Sequence, residues 1–271
     1  CIRDRFPFAG IFCRSNFRIG EYTMDNYILE CCVDSVESAI EAKRGGANRI
    51  ELCSGLVIGG LSPSKALFET VREHVDIRIH TLLRPRFGDF CYTDYEHEML
   101  KKEVKMFREL GADGVVIGAL RPDGSLHTEQ MKELIEEAQD MSITLHRAFD
   151  MCKNPFETLE QAKQLGIHTI LTSGQKNNCV EGTELLAKLV EKAEGKLDIL
   201  IAGGVDGNII SNLYKETGSH TYHMSGKVTL DSEMKYRKED VSMGVASMNE
   251  YEIWRTSADR IRMAKEILES L

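Results

Sequence analysis

The chain has 271 residues, of which 42% are hydrophobic and 28% charged, and this composition is typical of a globular protein. The net charge of −9 argues against a non-specific nucleic-acid binder and against a partner of anionic membrane. Every apolar run is far shorter than the roughly 20 residues that a bilayer-spanning helix needs, so no membrane span is predicted. The length suits one (β/α) barrel domain or two small domains.

The eight cysteines stand singly or within apolar runs, and no Cys-x-x-Cys motif occurs. This usage predicts free thiols in a reducing compartment rather than a disulfide framework or a zinc ribbon. Residues 1–24 differ from the rest, because arginine and phenylalanine are mixed there without a clear period. We expect a disordered leader or a non-native extension, with Met24 as the natural start, and a transit peptide is the alternative.

From Asn26 onward, short apolar runs alternate with helix-period segments, and glycines end several of the helices. The predicted strands are 27–33, 49–53, 77–83, 114–117, 142–150, 169–172, 197–201 and 220–224. The predicted helices that alternate with them are 35–44, 63–74, 94–110, 128–139, 155–165, 181–194 and 208–217. A polar stretch of about 30 residues follows the eighth strand, and a last helix is predicted near 257–268.

Strict alternation of strands and helices predicts a parallel sheet with helices outside it. Eight such units in about 245 residues favour an α/β fold with a single closed (β/α)8 TIM barrel over residues 25–271 and a C-terminal extension after strand eight. An open doubly wound sheet is the rival, but the number of units disfavours it, and no G-x-G-x-x-G fingerprint opens the first helix. Glycines precede strands two, four, six and eight, which suggests repeated quarter-barrel modules.

The first two predicted strands both end in the pattern Glu-x-Cys, as Glu30-Cys31-Cys32 and Glu51-Leu52-Cys53. Side chains two residues apart share a face of a strand, and sequential strands of a barrel are neighbours. Two carboxylates and two thiols are therefore predicted to point together into the barrel mouth. The alternative is that Cys32 and Cys53 only fill small spaces in the core.

Residues suited to anion binding follow several other strands. Strand three ends in Arg84-Pro85-Arg86, whose guanidinium groups suit a carboxylate or phosphate, or could neutralise the two glutamates. Glycine-rich turns after strands seven and eight are typical phosphate cradles in barrels, although glycines also serve ordinary turns. The candidate ligand-binding residues are Arg84, Arg86, Arg147, Gly203, Gly204, His223 and Ser225.

Strand five delivers His146, Arg147 and Asp150 just before a helix start at Asn154. Charged groups at this edge are typical of a ligand site, and a salt-bridged loop is the structural alternative. No lysine lies at the carboxyl end of a strand, which disfavours a Schiff-base aldolase. The residues that could serve proton transfer are Glu30, Glu51, His146 and Asp150.

These segments resemble the CutC family of copper homeostasis proteins. The matching segments are Glu30–Ser35, Arg49–Gly55, Arg84–Arg86, Gly88–Phe90, His146–Asp150, Thr172–Gly174 and the Gly203-Gly204 turn. The resemblance implies a barrel fold, homo-oligomers, a cytoplasmic and in eukaryotes also nuclear location, and Cu(I) bound by Cys32 and Cys53. Phe87 and Ala202 stand where the family often has glycine, and both would narrow the ligand pocket.

Two functions follow as hypotheses. The first is a copper homeostasis protein that binds Cu(I) through Cys32 and Cys53, since two thiolates can hold this soft ion linearly. The second is a barrel enzyme or binding protein that acts on a small phosphorylated or carboxylated metabolite at the C-terminal face of the barrel. A stabilising charge network that binds no ligand is the third interpretation.

Overall fold

The computed structural model describes residues 26–238, 240–241, 243–244 and 248–271. The leader predicted at 1–24 lies outside the described residues. None of the helices formed by the described residues combines the length and apolarity that crossing a membrane requires.

Eight parallel strands, each paired with the next and the last with the first, close into a barrel. This confirms the predicted TIM barrel. The barrel strands are β1 (Ile28–Val33), β2 (Arg49–Leu52), β3 (Arg78–Leu82), β4 (Gly114–Ile117), β5 (Ser142–Leu145), β6 (Thr169–Thr172), β7 (Asp198–Ile201) and β8 (Thr221–Met224). The helices that alternate with them are α1 (Val36–Gly45), α2 (Lys65–His74), α3 (Asp94–Glu109), α4 (Thr128–Ala138), α5 (Pro155–Gln164), α6 (Thr183–Ala193) and α7 (Gly207–Thr217).

Local sequence signals fix where several helices begin and end. The side chain of Thr93 accepts a hydrogen bond from the backbone N–H of Glu96, and the Glu96 carboxylate accepts one from the backbone N–H of Thr93, which forms a capping box at α3. Asn154 caps α5, with proline at its first position. Gly46 ends α1 at a φ of +94°, a conformation that side chains rarely adopt.

Side-chain alternation divides the strand residues between two environments. Residues such as Leu29, Ile50 and Leu145 pack outward against the helices in the main apolar core. The inward positions contain two small apolar clusters, one formed by Cys32, Cys53, Leu82 and Val116, the other by Leu171, Leu200 and Ala202. Polar side chains occupy much of the remaining interior, and they form the candidate site.

Two segments differ from the sequence-based expectations. The predicted fifth strand ends at Leu145, because His146 caps a 3₁₀ helix over Arg147–Met151. The polar stretch after strand eight contains an antiparallel hairpin of β9 (Lys227–Asp231) and β10 (Glu252–Thr256) that was not predicted. Most of the side chains of β9 are exposed, so no buried alternating pattern marks it as a strand. The last helix, α8 (Ala258–Glu269), follows this hairpin.

Candidate functional site

A fully buried carboxylate lies at the centre of the polar interior. Glu30 of β1 is 0% exposed, and its neighbours in the sheet are Arg49 of β2 and His223 of β8. Arg49 Nε donates a hydrogen bond of 2.5 Å to one carboxylate oxygen, and His223 Nδ1 lies 2.7 Å from the other. The barrel register therefore supplies both partners that a buried charge of this kind needs.

The charges of this cluster stabilise one another. Burial alone would raise the pKa of Glu30, but Arg49 and His223 hold it far below the usual range. Burial would lower the pKa of His223, but Glu51 and Glu30 outweigh it and raise that pKa above its ordinary value. Glu30 is therefore ionised at neutral pH, with Arg49 as its cationic partner and His223 as its second hydrogen-bond partner.

The two predicted thiols lie next to this cluster. Cys32 Sγ is 3.8 Å from Cys53 Sγ and donates a hydrogen bond of 3.1 Å to Glu51 Oε2. Glu51 Oε2 also lies 3.9 Å from His223 Nε2. The register explains this contact, because Cys32 pairs with Glu51 across β1 and β2. The structure thus brings together Cys32, Cys53, Glu51 and His223, all of which the sequence singled out.

The surroundings of Cys32 and Glu51 work against the charged forms of these two side chains. A hydrogen bond with Cys53, followed by burial, raises the pKa of the Cys32 thiol well above its usual value. Burial raises the pKa of Glu51 as well. A metal ion would have to displace the thiol proton, since the thiolate is the form that binds metals.

The ligand atoms are close enough to share one ion. One donor atom each from Cys32, Glu51 and His223 lies within 4.8 Å of the others. Metal–sulfur bonds of about 2.3 Å that reach two sulfurs 3.8 Å apart meet at an angle of about 110°. This geometry leaves room for a third ligand. Imidazole and thiolate are both suitable donors for copper.

Arg84 and Arg86 have different environments. Arg84 is buried and donates to the backbone oxygens of Ile58, Gly60 and Gly88. Arg86 lies nearer the surface, where its guanidinium pairs with the two carboxylates of Asp89 and Glu96. Neither arginine neutralises the interior glutamates, because Arg49 takes that place for Glu30.

The carboxylate of Asp150, which the sequence grouped with His146, has its own set of hydrogen-bond donors. Asp150 accepts hydrogen bonds from Thr172 Oγ1, from the backbone of Ser173 and Gln175, and from the Arg147 guanidinium. Its carboxylate is therefore committed to joining the ends of β5 and β6. The salt-bridged loop considered as an alternative is what the structure shows for the Arg147–Asp150 pair.

The predicted glycine cradle forms a left-handed turn after β7. Gly203 and Gly204 have φ values of +90° and +83°, and a Cβ on Gly203 would lie 2.9 Å from the Ser173 side chain. Ser225 follows β8, and its backbone oxygen accepts hydrogen bonds from Cys31 and Thr256. The role of this turn in anion binding stays a prediction.

Two interior residues were not assigned roles from the sequence, Arg49 and His80. Arg49 stands two residues before Glu51, so period-two alternation carried the signal that it faces the interior. His80 pairs with Glu51 across β2 and β3. Burial, helped by the nearby Arg49, lowers the pKa of His80 to about 3, so that its ring stays neutral.

Comparison with known proteins decides the family. The model of the CutC family matches residues 27–228. The chain belongs to the CutC family. A human relative named copper homeostasis protein cutC homolog is 38% identical over 248 residues, which cover 91% of each chain. The family protein CutC of Bacteroides fragilis is 42% identical over 92% of this chain and 98% of its own.

Solved structures agree with this family and fold. The crystal structure of CutC from Streptococcus agalactiae aligns with a TM-score of 0.70 and 26% identity, over 73% of this chain and 98% of its own. Thiamine phosphate pyrophosphorylase from Pyrococcus furiosus aligns with a TM-score of 0.53 and 20% identity, over 90% and 96% of the two chains. The second likeness shows the barrel fold alone.

Replacing Arg49 with methionine should lower the free energy of unfolding by about 3–5 kcal/mol, because it leaves the Glu30 charge buried beside one partner only. Urea unfolding measures the change. The double variant Glu30→Gln/Arg49→Met should recover part of the loss. Arg44→Met, which breaks an exposed pair with Glu41, is the matched control and should change little. Equal stability of Arg49→Met and the wild type would contradict this account.

Stability should fall as the pH is lowered from about 6.5, in part because of His80. The unfolded histidine binds a proton near pH 6.5, whereas the folded one stays neutral down to about pH 3. The unfolded state therefore gains the proton first, which costs up to about 1.4 kcal/mol per pH unit. His80→Gln should show a shallower decline in urea unfolding, and the exposed His74→Gln serves as the control. Parallel curves for the wild type and His80→Gln would refute this cause.

Proposed function

We propose that this CutC protein takes part in copper homeostasis by binding Cu(I) at the barrel mouth through Cys32 and Cys53. The observation that carries the proposal is the 3.8 Å separation of the two thiol sulfurs. Thiolates select soft ions such as Cu(I). The family of the chain and the name of its human relative agree with a role in copper homeostasis.

The interior suggests His223 as a third ligand. Histidines that bind metals usually donate their other ring N–H to a carboxylate, which orients the ring. His223 has this arrangement, since its Nδ1 lies 2.7 Å from Glu30, its Nε2 lies 3.9 Å from Glu51, and its ring is grouped with the Cys32 thiol. Copper would bind in place of the contact between Cys32 and Glu51. Glu30 would then position a ligand without touching the ion.

The buried position of the thiols suits a site that keeps copper reduced and away from other ligands. Cys32 is 5% exposed and Cys53 is 0% exposed. The described cysteines are all free thiols, in keeping with a reducing compartment. We accordingly propose copper handling in the cytoplasm, and in the nucleus for a eukaryotic source. Assembly into homo-oligomers stays an expectation from the family resemblance.

An anaerobic Cu(I) titration against a competing chelator tests the proposal. The wild type should bind one ion per chain, and Cys32→Ser/Cys53→Ser should lose this binding, because serine supplies no soft ligand. Cys91→Ser/Cys152→Ser is the matched control, since it removes two thiols elsewhere in the barrel and should bind as the wild type does. Circular dichroism checks that each variant is folded. Undiminished binding by the Cys32/Cys53 variant would refute the proposal.

The role of Glu30 in orienting His223 predicts a smaller effect on copper. Glu30→Gln should weaken Cu(I) binding about 10- to 100-fold without abolishing it, as for other partners of metal-binding histidines. X-ray absorption should show two sulfurs and one nitrogen around copper in the wild type. Glu103→Gln, which changes a partly buried carboxylate bonded to Ser62, is the control. A sulfur-only copper environment in the wild type would exclude His223 as a ligand.

A further inference from the structure

Arg84 is a buried cation that no carboxylate balances among the described residues. Its side chain lies at the carboxyl end of β3, and the residue is only 8% exposed. The hydrogen bonds of its Nη1 and Nη2 go to three backbone oxygens, those of Ile58, Gly60 and Gly88. Its Nε–H is buried and has no acceptor. A buried charge in this state is costly unless an anion accompanies it.

His146 supplies a second donor without an acceptor. The residue is 3% exposed, and its Nδ1 accepts a hydrogen bond from the backbone N–H of Ala148. A ring whose Nδ1 accepts carries its proton on Nε2 when it is neutral. Burial, together with the nearby Arg84, lowers the pKa of His146 to about 3, so the ring is neutral at physiological pH. Its Nε2 is buried and has no partner.

The two donors belong to the same part of the barrel mouth. The centre of the Phe90 ring lies 4.8 Å from that of the His146 ring and 5.1 Å from the Arg84 guanidinium carbon, so both side chains pack against Phe90. Strand β4 lies between β3 and β5, and Gly118 follows its last residue. A Cβ on Gly118 would lie 2.6 Å from the His146 ring, so glycine makes room for the ring there.

We propose that Arg84 and His146 bind one small carboxylate at the barrel mouth, beneath Phe90. Each residue offers one unused N–H at a buried nitrogen, and a carboxylate presents two oxygens to accept them. Its single negative charge balances the one positive charge of Arg84. Phosphate fits less well, because its three charged oxygens need more donors than these two residues have free.

The carboxylate site shares no ligand residue with the copper site. The loop before α2 connects the two sites. Arg84 donates a hydrogen bond to the backbone oxygen of Gly60 in this loop, and a Cβ on Gly60 would lie 3.6 Å from Cys53 Sγ. Of the two arginines that the sequence predicted to bind an anion, Arg84 and Arg86, the proposal keeps only Arg84. Arg86 is already paired with acidic side chains, and only Arg84 has an uncompensated charge.

Calorimetric titration of the metal-free, full-length protein with sodium acetate at constant ionic strength tests the proposal. The wild type should bind one acetate per chain and should bind inorganic phosphate more weakly. Arg84→Lys and His146→Phe should each weaken acetate binding about 10- to 100-fold, the worth of one hydrogen bond to a charged group. His146→Phe keeps an aromatic ring against Phe90. Arg121→Gln, which removes a surface arginine paired with Glu129, should bind as the wild type does.

NMR of ¹⁵N-histidine-labelled wild type tests the site even if a variant fails to fold. Saturating acetate should move the Nε2–H signal of His146 and slow its exchange with water, whereas His74 should not respond. Absence of saturable acetate binding, with His146 unmoved, would mean that only water meets these donors and would overturn the proposal. Preference for phosphate, or equal acetate binding by both variants and the wild type, would overturn the assignment to a carboxylate at these residues. Because copper is absent throughout, failure here leaves the copper proposal untouched.

Discussion

The carboxylate of Glu30 is the constraint on which the barrel interior depends. A charge that is fully buried can exist at neutral pH only if strong partners surround it, and here Arg49 and His223 hold it from the two neighbouring strands. This requirement fixes the ring of His223 with one nitrogen toward Glu30. The other nitrogen then faces Glu51, which in turn contacts Cys32. A chain of contacts thus leads from the buried charge of Glu30 through His223 and Glu51 to the Cys32 thiol.

Most charged groups at the mouth are satisfied by the protein itself, and this distinguishes structural charges from functional ones. Asp150 and Arg147 connect two strand ends, and Arg86 is paired with Asp89 and Glu96. The groups left without partners are more informative, because burying an unpaired polar atom costs free energy that folding does not recover. The free N–H donors of Arg84 and His146 are of this second kind, whereas the thiols of Cys32 and Cys53 have hydrogen-bond partners and matter as soft metal ligands. One site offers soft ligands, and the other offers N–H groups.

The barrel could be predicted from the sequence because the strand and helix periods, the glycines that end helices and the helix caps all indicated the same alternation of strands and helices. The sequence also predicted the face shared by Glu30, Cys32, Glu51 and Cys53, since side chains two residues apart in a strand point to the same side. It named Arg84 and Arg86 as cations that could neutralise the glutamates and gave Arg49 no role, because only the register between strands shows which cation lies beside Glu30. It missed the hairpin of β9 and β10, because most side chains of β9 are exposed and those of β10 are mostly only partly buried, so neither strand shows the alternating pattern of a core strand. The end of strand five was wrong because His146 caps a 3₁₀ turn through a side-chain hydrogen bond.

The loop that follows β2 joins the two proposed sites physically. Gly60 has a φ of +86°, and a Cβ there would lie 2.5 Å from Leu82 and 3.4 Å from the Cβ of Cys53, so the loop packs directly behind the thiol. Arg84 holds this loop by donating to the oxygens of Ile58 and Gly60. An anion that draws the guanidinium toward itself would therefore change how firmly the loop supports Cys53. Any such coupling must be reciprocal, because a ligand that alters the affinity of a second site is altered by it to the same degree. Through these contacts, a small carboxylate bound at Arg84 would change the affinity of the thiol pair for a metal ion.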